Sequence, residues 1–174
     1  MESATPTTFA VNLPVTAPPP RIRSPLPFER APLAELIRTD GLFQAEEVAC
    51  ALELIDAALA DPDGDYRVRV AECDGRVAGY VCFGPTPMAR GTFDLYWIAT
   101  HPQLRARGCG SALVAAMESE LRREGARLIR VETSALDGYG AARRFYARHH
   151  YREAARLRDF YRPGDDLLVM TKRL

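Results

Sequence analysis

No stretch of the 174-residue sequence is both long and apolar enough to span a bilayer, and no N-terminal segment joins a basic head to an apolar core. Membrane insertion and secretion are therefore not expected. Net charge is missing too: 23 Lys+Arg offset 23 Asp+Glu, so there is no general attraction to nucleic acid or to an anionic surface. Lysine is nearly absent, Lys172 being the only one, and nothing functional follows from that. The four cysteines, Cys50, Cys73, Cys82 and Cys109, show neither CxxC nor metal-ligand spacing. Zinc modules and disulfide frameworks are thereby disfavoured, and reduced thiols in a cytoplasmic setting are expected. No Gly-Lys-Ser/Thr follows a glycine-rich run, and Leu113 stands where a dinucleotide fingerprint would need its third glycine. Neither nucleotide motif is present.

The chain does hold enough apolar material for one core. It is 47% hydrophobic, and its length suits one sizeable domain rather than two. Residues 93–124 organise the rest. Phe93 to Thr100 is rich in aromatic and β-branched residues and is stopped by His101-Pro102, which reads as a buried strand and a turn. Leu113, Met117 and Leu121 then repeat at i,i+4, with alanines between them and charges outward, so a helix starts near Gly108–Ser111. Gly108 and Gly110 lie at that start. Without a Cβ in the way, the free N–H groups of the first helical turn can converge on phosphate oxygens, aided by the helix dipole and by Arg105 and Arg107. A glycine-rich bend that only begins a helix has the same appearance.

Residues 1–21, with Pro6, Pro14 and Pro18-Pro19-Pro20, read as a flexible N-terminal extension, although the alternating Phe9, Val11 and Leu13 would suit a strand added to an edge. Residues 22–174 read as one α/β domain. A short strand at 22–24 precedes helices over Pro32–Arg38 and Gln44–Leu59, the second with a stripe of Val48, Leu52, Ile55 and Leu59. A hairpin turns at Asp74-Gly75. Strands are expected at Leu128–Thr133, parallel to the central strand through a right-handed crossover, at Tyr151–Leu157 and at Leu167–Thr171, with a helix over Ala141–His149.

Strand, His-Pro turn, Arg105-x-x-Gly108-x-Gly110 and alanine-rich helix, in that order, resemble the acyl-CoA-binding signature of the GNAT superfamily of N-acetyltransferases. Ala142 to Tyr151 resembles the same family's closing Asn-x-x-Ala-x-x-x-Tyr-x-x-x-Gly-Phe motif, with Tyr139, His150 and Tyr151 at the usual Asn, Gly and Phe positions. The resemblance implies a mixed, mostly antiparallel twisted sheet with two splayed parallel central strands and helices on both faces. It implies acetyl-CoA as cofactor, its pantetheine arm beside Ile98, Ala99 and Thr100. Its diphosphate would sit at Arg105, Ala106, Arg107, Gly108, Cys109, Gly110 and Ser111. Direct acetyl transfer to a primary amine of a small molecule or peptide follows, and a homodimer is compatible with it. A non-catalytic acyl-CoA-binding regulatory module is the alternative, since the flanks of the motif have changed; a purely structural protein would leave the glycine-rich helix start unexplained.

Such a reaction needs a neutral amine, a stabilised oxyanion and a leaving thiolate that can be protonated. Asp94 and Glu132 compete for the base role, each with a structural alternative, and water can mediate either. Tyr146 takes the place of the family tyrosine that assists the departing sulfur. Arg143 suits a cofactor phosphate or an ordinary helix surface. Cys109 reads as a packing residue rather than a nucleophile, and His149-His150 lacks ligand spacing, so no metal site is expected. Acceptor recognition is expected from 33–46, Pro85–Arg90 and 156–166.

Overall fold

The computed structural model describes residues 18–41 and 43–174, apart from the side chains of Asp40, Arg105 and Ala106. Phe9, Val11 and Leu13 lie outside the described residues. Strand β1 (Arg21–Arg23) leads to helices α1 (Arg30–Asp40) and α2 (Ala45–Ala60). Then come strands β2 (Arg67–Cys73), β3 (Arg76–Pro85) and β4 (Thr92–Thr100), helix α3 (Cys109–Arg123), strand β5 (Leu128–Ser134), helix α4 (Gly140–Arg148) and strands β6 (Arg152–Arg162) and β7 (Asp165–Arg173). Short 3-10 turns occupy Pro27–Glu29, Pro102–Arg107 and Asp137–Tyr139. The seven strands run β1-β2-β3-β4-β5-β7-β6. β4 and β5 are parallel and the other described pairs antiparallel. No helix among the described residues is long and apolar enough to cross a membrane.

Period-two alternation along the strands splits the core into two layers. On one face, Leu113, Val114, Met117 and Leu121 of α3 and Tyr146 of α4 pack on Val81, Phe83, Leu95, Ile129 and Val131. On the other, Leu33, Leu36 and Ile37 of α1 with Ala51 and Ile55 of α2 cover Val68, Val70, Tyr80, Cys82 and Ala99. The i,i+4 stripe of α3 is buried as expected, Leu113, Met117 and Leu121 being fully covered, each side chain contributing about 1.5–3 kcal/mol. The stripe of α2 sits differently: Ala51, Ile55 and Ala58 are buried, whereas Val48, Leu52 and Leu59 are only partly so. Small residues let this helix lie close to the sheet, which rotates its buried line by one position.

Charge ties α3 to its neighbours. Arg69 of β2 grips Glu120 at 2.7 Å, Arg67 reaches Glu124 at 2.6 Å, and Lys172 of β7 meets the buried Glu118 at 2.6 Å. The first turn of α3 carries no acidic residue and its last turn holds Arg122 and Arg123. That distribution leaves the positive end of the helix dipole uncompensated at residue 109.

Candidate active site

The sheet opens along β4. Pairing with β5 covers only Thr92–Leu95 against Leu128–Val131. On the other side Leu95 faces Phe83 and Trp97 faces Cys82, so Tyr96 is an extra residue without a partner. A bulge of this kind bends the strand and increases its twist. Beyond it, Trp97–Thr100 continues along β3 while Glu132–Ser134 continues along β7. A wedge is left between β4 and β5, along which the two strands do not pair with one another. Ile98 spends its side chain on the α3 layer and Ala99 on the α1–α2 layer, so at these residues the wedge meets main chain, whose N–H and C=O groups need partners.

The wedge ends at the start of α3. Gly108 is the N-cap, with φ 74 and ψ 11, a left-handed conformation that glycine adopts at little cost. A Cβ there would meet nothing within 4 Å, whereas one at Gly110 would lie 3.2 Å from the Phe145 ring. The first glycine therefore borders open space, and the second allows α4 to approach. Arg107 binds Asp74 at 2.8 Å and so ties the turn to the tip of the β2–β3 hairpin. Cys109 is fully buried, with its Sγ 3.4 Å from that of Cys73. Burial, and then Cys73, pushes its thiol up to about 11. It is a packed floor beneath the turn rather than an activated nucleophile.

Asp94, Arg130 and Glu132 project from β4 and β5 on the α1–α2 side. Arg130 binds Asp94 at 2.6 Å and Glu132 at 2.9 Å. The two carboxylates differ in access: the Asp94 side chain is 8% exposed and that of Glu132 41%. Asp94 also lies within the paired part of the strands, whereas Glu132 is the first β5 residue past it. Tyr96, beside this group, is pushed up to about 12 by burial and then by Asp94.

Tyr146 of α4 is buried, its ring 5.7 Å from Phe145 and 5.8 Å from Tyr151. Burial raises its phenol well above the usual range. The helix end that holds it closes with Tyr151 N–H donating to Tyr146 O and His150 N–H to Ala147 O, both at 3.0 Å. This paired arrangement needs a left-handed residue just past the cap. His150 supplies it with φ 67, so the chain bends as a glycine would make it bend. Arg143 donates to the carbonyls of Ser134 and Leu136 at 2.9 and 2.6 Å and is engaged at the end of β5.

Two groupings had no signal in the sequence. Tyr139 lies 3.4 Å from Glu47 of α2 across 92 residues of chain, and Tyr161 is pushed up to about 12 by burial and then by Glu132, Asp165 and Glu47. The start of α2, the turn after β5 and the end of β6 thus meet near Glu132. Ser111 Oγ lies 3.0 Å from His149 Nε2, a contact between helices that neither residue announces.

The sequence signature of the acetyltransferase (GNAT) domain matches residues 64–153. A Desulfovibrio desulfuricans protein of the GNAT acetyltransferase family has the same fold with TM-score 0.85 and 37% identity over 88% of this chain and 98% of its own. A Salmonella typhimurium protein solved with its cofactor acetyl-CoA gives 0.69 at 21% identity, over 89% and 94% of the two chains. An N-acetyltransferase of Methanocaldococcus jannaschii is 32% identical over 107 residues, which is 60% of this chain and 64% of that relative's length. An open parallel pair that runs into a glycine-capped helix start, with this signature laid across it, makes the chain a member of the GNAT acetyltransferase family.

Proposed function

We propose that the protein transfers an acetyl group from acetyl-CoA directly to a primary amine of a small molecule or peptide. The observation that carries this reading is the continuous path from the unpaired edge of β4, Tyr96–Thr100, to the open amide turn of α3. That path suits a linear ligand with an amide-bearing arm and a diphosphate at its end. Amides of Gly108–Ser111 would hold the diphosphate, with Arg105 and Arg107 beside it, and the edge of Ile98–Thr100 the arm. When bound, acetyl-CoA supplies an activated acyl thioester.

The chain's own groups would do the rest. Glu132, exposed at the mouth of the wedge, takes the proton from the acceptor ammonium directly or through water. Asp94 is too enclosed for that task and instead fixes Arg130. Backbone N–H groups at Ile98–Thr100 donate to the developing oxyanion. Tyr146, kept neutral because burial disfavours its phenolate, would hydrogen-bond the departing sulfur and pass it a proton that the phenol recovers from solvent. The acceptor enters from the α2 face, past Glu47, Tyr139 and Tyr161. Four free thiols suit a reducing, cytoplasmic setting.

The test is mass-spectrometric detection of acetylated products in a mixture of amino acids, peptides, polyamines and aminoglycosides supplied with acetyl-CoA. Glu132→Gln and Tyr146→Phe should each slow product formation by about 10²-fold or more. Unchanged rates in both would refute these roles, and no product from any amine would refute the activity.

A further inference from the structure

The mechanism above leaves unused the histidine at the rim of the α3 turn. His149 caps α4, and its Nε2 lies 3.0 Å from the hydroxyl of Ser111, the third residue of the 15-residue α3. Its ring packs 4.6 Å from that of Phe145, which itself rests against Gly110. Serine, imidazole and phenyl ring therefore lie at the first turn of α3, beside Gly108, where a Cβ would meet nothing within 4 Å.

The direction of the Ser111–His149 hydrogen bond depends on where the ring carries its protons. A neutral imidazole with Nε2 bare accepts the serine O–H, and the hydroxyl then offers only lone pairs to the space above the turn. An imidazolium must donate, so the serine oxygen accepts and its hydrogen is released to point elsewhere. From the neutral ring with its proton on Nδ1, protonation turns Ser111 from an acceptor into a free donor and adds a positive charge at the helix start; the linkage proposed below takes that tautomer as its starting state.

We propose that Ser111 and His149 form a proton-linked contact for the pyrophosphate of the cofactor, in which a phosphate oxygen accepts the Ser111 O–H once the imidazole is protonated. The proposal rests on the reading of the α3 turn as the cofactor site. Binding would take up a proton at His149, and affinity would rise as pH falls through the histidine range.

The surroundings of His149 favour such linkage. Burial lowers its proton affinity first; Glu118 of α3 works against this, while Lys172 of β7 and its own neighbours Arg148 and His150 add to it. Lys172 and Glu118 are paired with one another at 2.6 Å, so neither is a free counter-ion. In the free protein the ring is held toward its neutral form, and an arriving anion would supply the negative charge that the site lacks.

The probe is dephospho-CoA, which keeps the pyrophosphate but lacks the 3′-phosphate, a monoester that titrates near pH 6 on its own account. Calorimetric titrations of the full chain between about pH 5.5 and 8 should show tighter binding in acid by about fivefold, the low end for two coupled sites. His149→Gln, which keeps a hydrogen-bonding group without a titration, and Ser111→Ala should remove this slope. In the wild-type protein, histidine ring resonances followed by NMR should show saturating dephospho-CoA raising the pKa of His149 by about 0.7 unit, the same fivefold factor read from the other site. A wild-type slope no steeper than that of His149→Gln, or a His149 titration that stays put or moves down on saturation, overturns the proposal. So does a slope seen with CoA and not with dephospho-CoA, which would assign the contact to the 3′-phosphate. Absence of binding by both ligands overturns the cofactor reading itself, whereas binding without a slope overturns only this linkage.

Discussion

Helix α3 begins and helix α4 ends on a residue in the left-handed region, Gly108 with φ 74 and His150 with φ 67, and the two positions are filled differently. At Gly108 a Cβ would meet nothing within 4 Å, so a side chain would strain the backbone and, on the proposed reading, stand where the diphosphate would come. At His150 nothing has to approach; the turn exists to bring Tyr151 back against Tyr146. Where the demand on a turn is only conformational, a β-carbon costs strain and no more. Where the turn is also a receptor, it costs the ligand as well.

The largest expected effect lies on the residue that the α4 turn holds. Tyr146→Phe should lower kcat by about 10²-fold while leaving calorimetric CoA affinity within about twofold; an equal loss in affinity would mean that the ring, not the hydroxyl, matters. Next comes Gly108→Val, which should destabilise the fold by about 2 kcal/mol through backbone strain, read by urea unfolding, and weaken CoA binding in addition. Unimpaired CoA binding would dissolve the distinction between the two turns. His150→Gly should act in the other direction, raising stability by about 1 kcal/mol and Tm by about 2–4 °C, with activity unchanged. The smallest effect concerns pH. Burial lowers the proton affinity of folded His149 from its ordinary value of 6.5, so the unfolded chain takes up the proton first as pH falls. Stability of the ligand-free protein should therefore decline from about pH 6.5 until the folded imidazole is protonated too, and His149→Gln should remove that part of the slope.

The elements were legible where a single segment carries its own signal. Strand, His-Pro turn, paired glycines and the Leu113–Met117–Leu121 stripe together fix β4, the turn and α3, and the Asp74-Gly75 hairpin behaves as its sequence suggests, with both residues at positive φ. What depends on a partner strand was not legible. The extra residue at Tyr96 is defined only against the register of Cys82 and Phe83. The proposed preference for Glu132 over Asp94 rests on where β4–β5 pairing stops and on how Arg130 divides itself between them, which no spacing encodes. Tyr139–Glu47 and Ser111–His149 join residues 92 and 38 positions apart, with polar types too common to stand out. At His150 a left-handed turn is held without glycine, because two backbone hydrogen bonds and a ring contact outweigh the strain of one residue.

The unpartnered Tyr96 has a consequence for how such a pocket can arise or vanish. Removing that one residue would let the second half of β4 slide into step with β3 and lose the bend that carries it away from β5. The two central strands could then zip to their ends, and the groove would become ordinary continuous sheet. One inserted amino acid separates a closed scaffold from one with room for a guest.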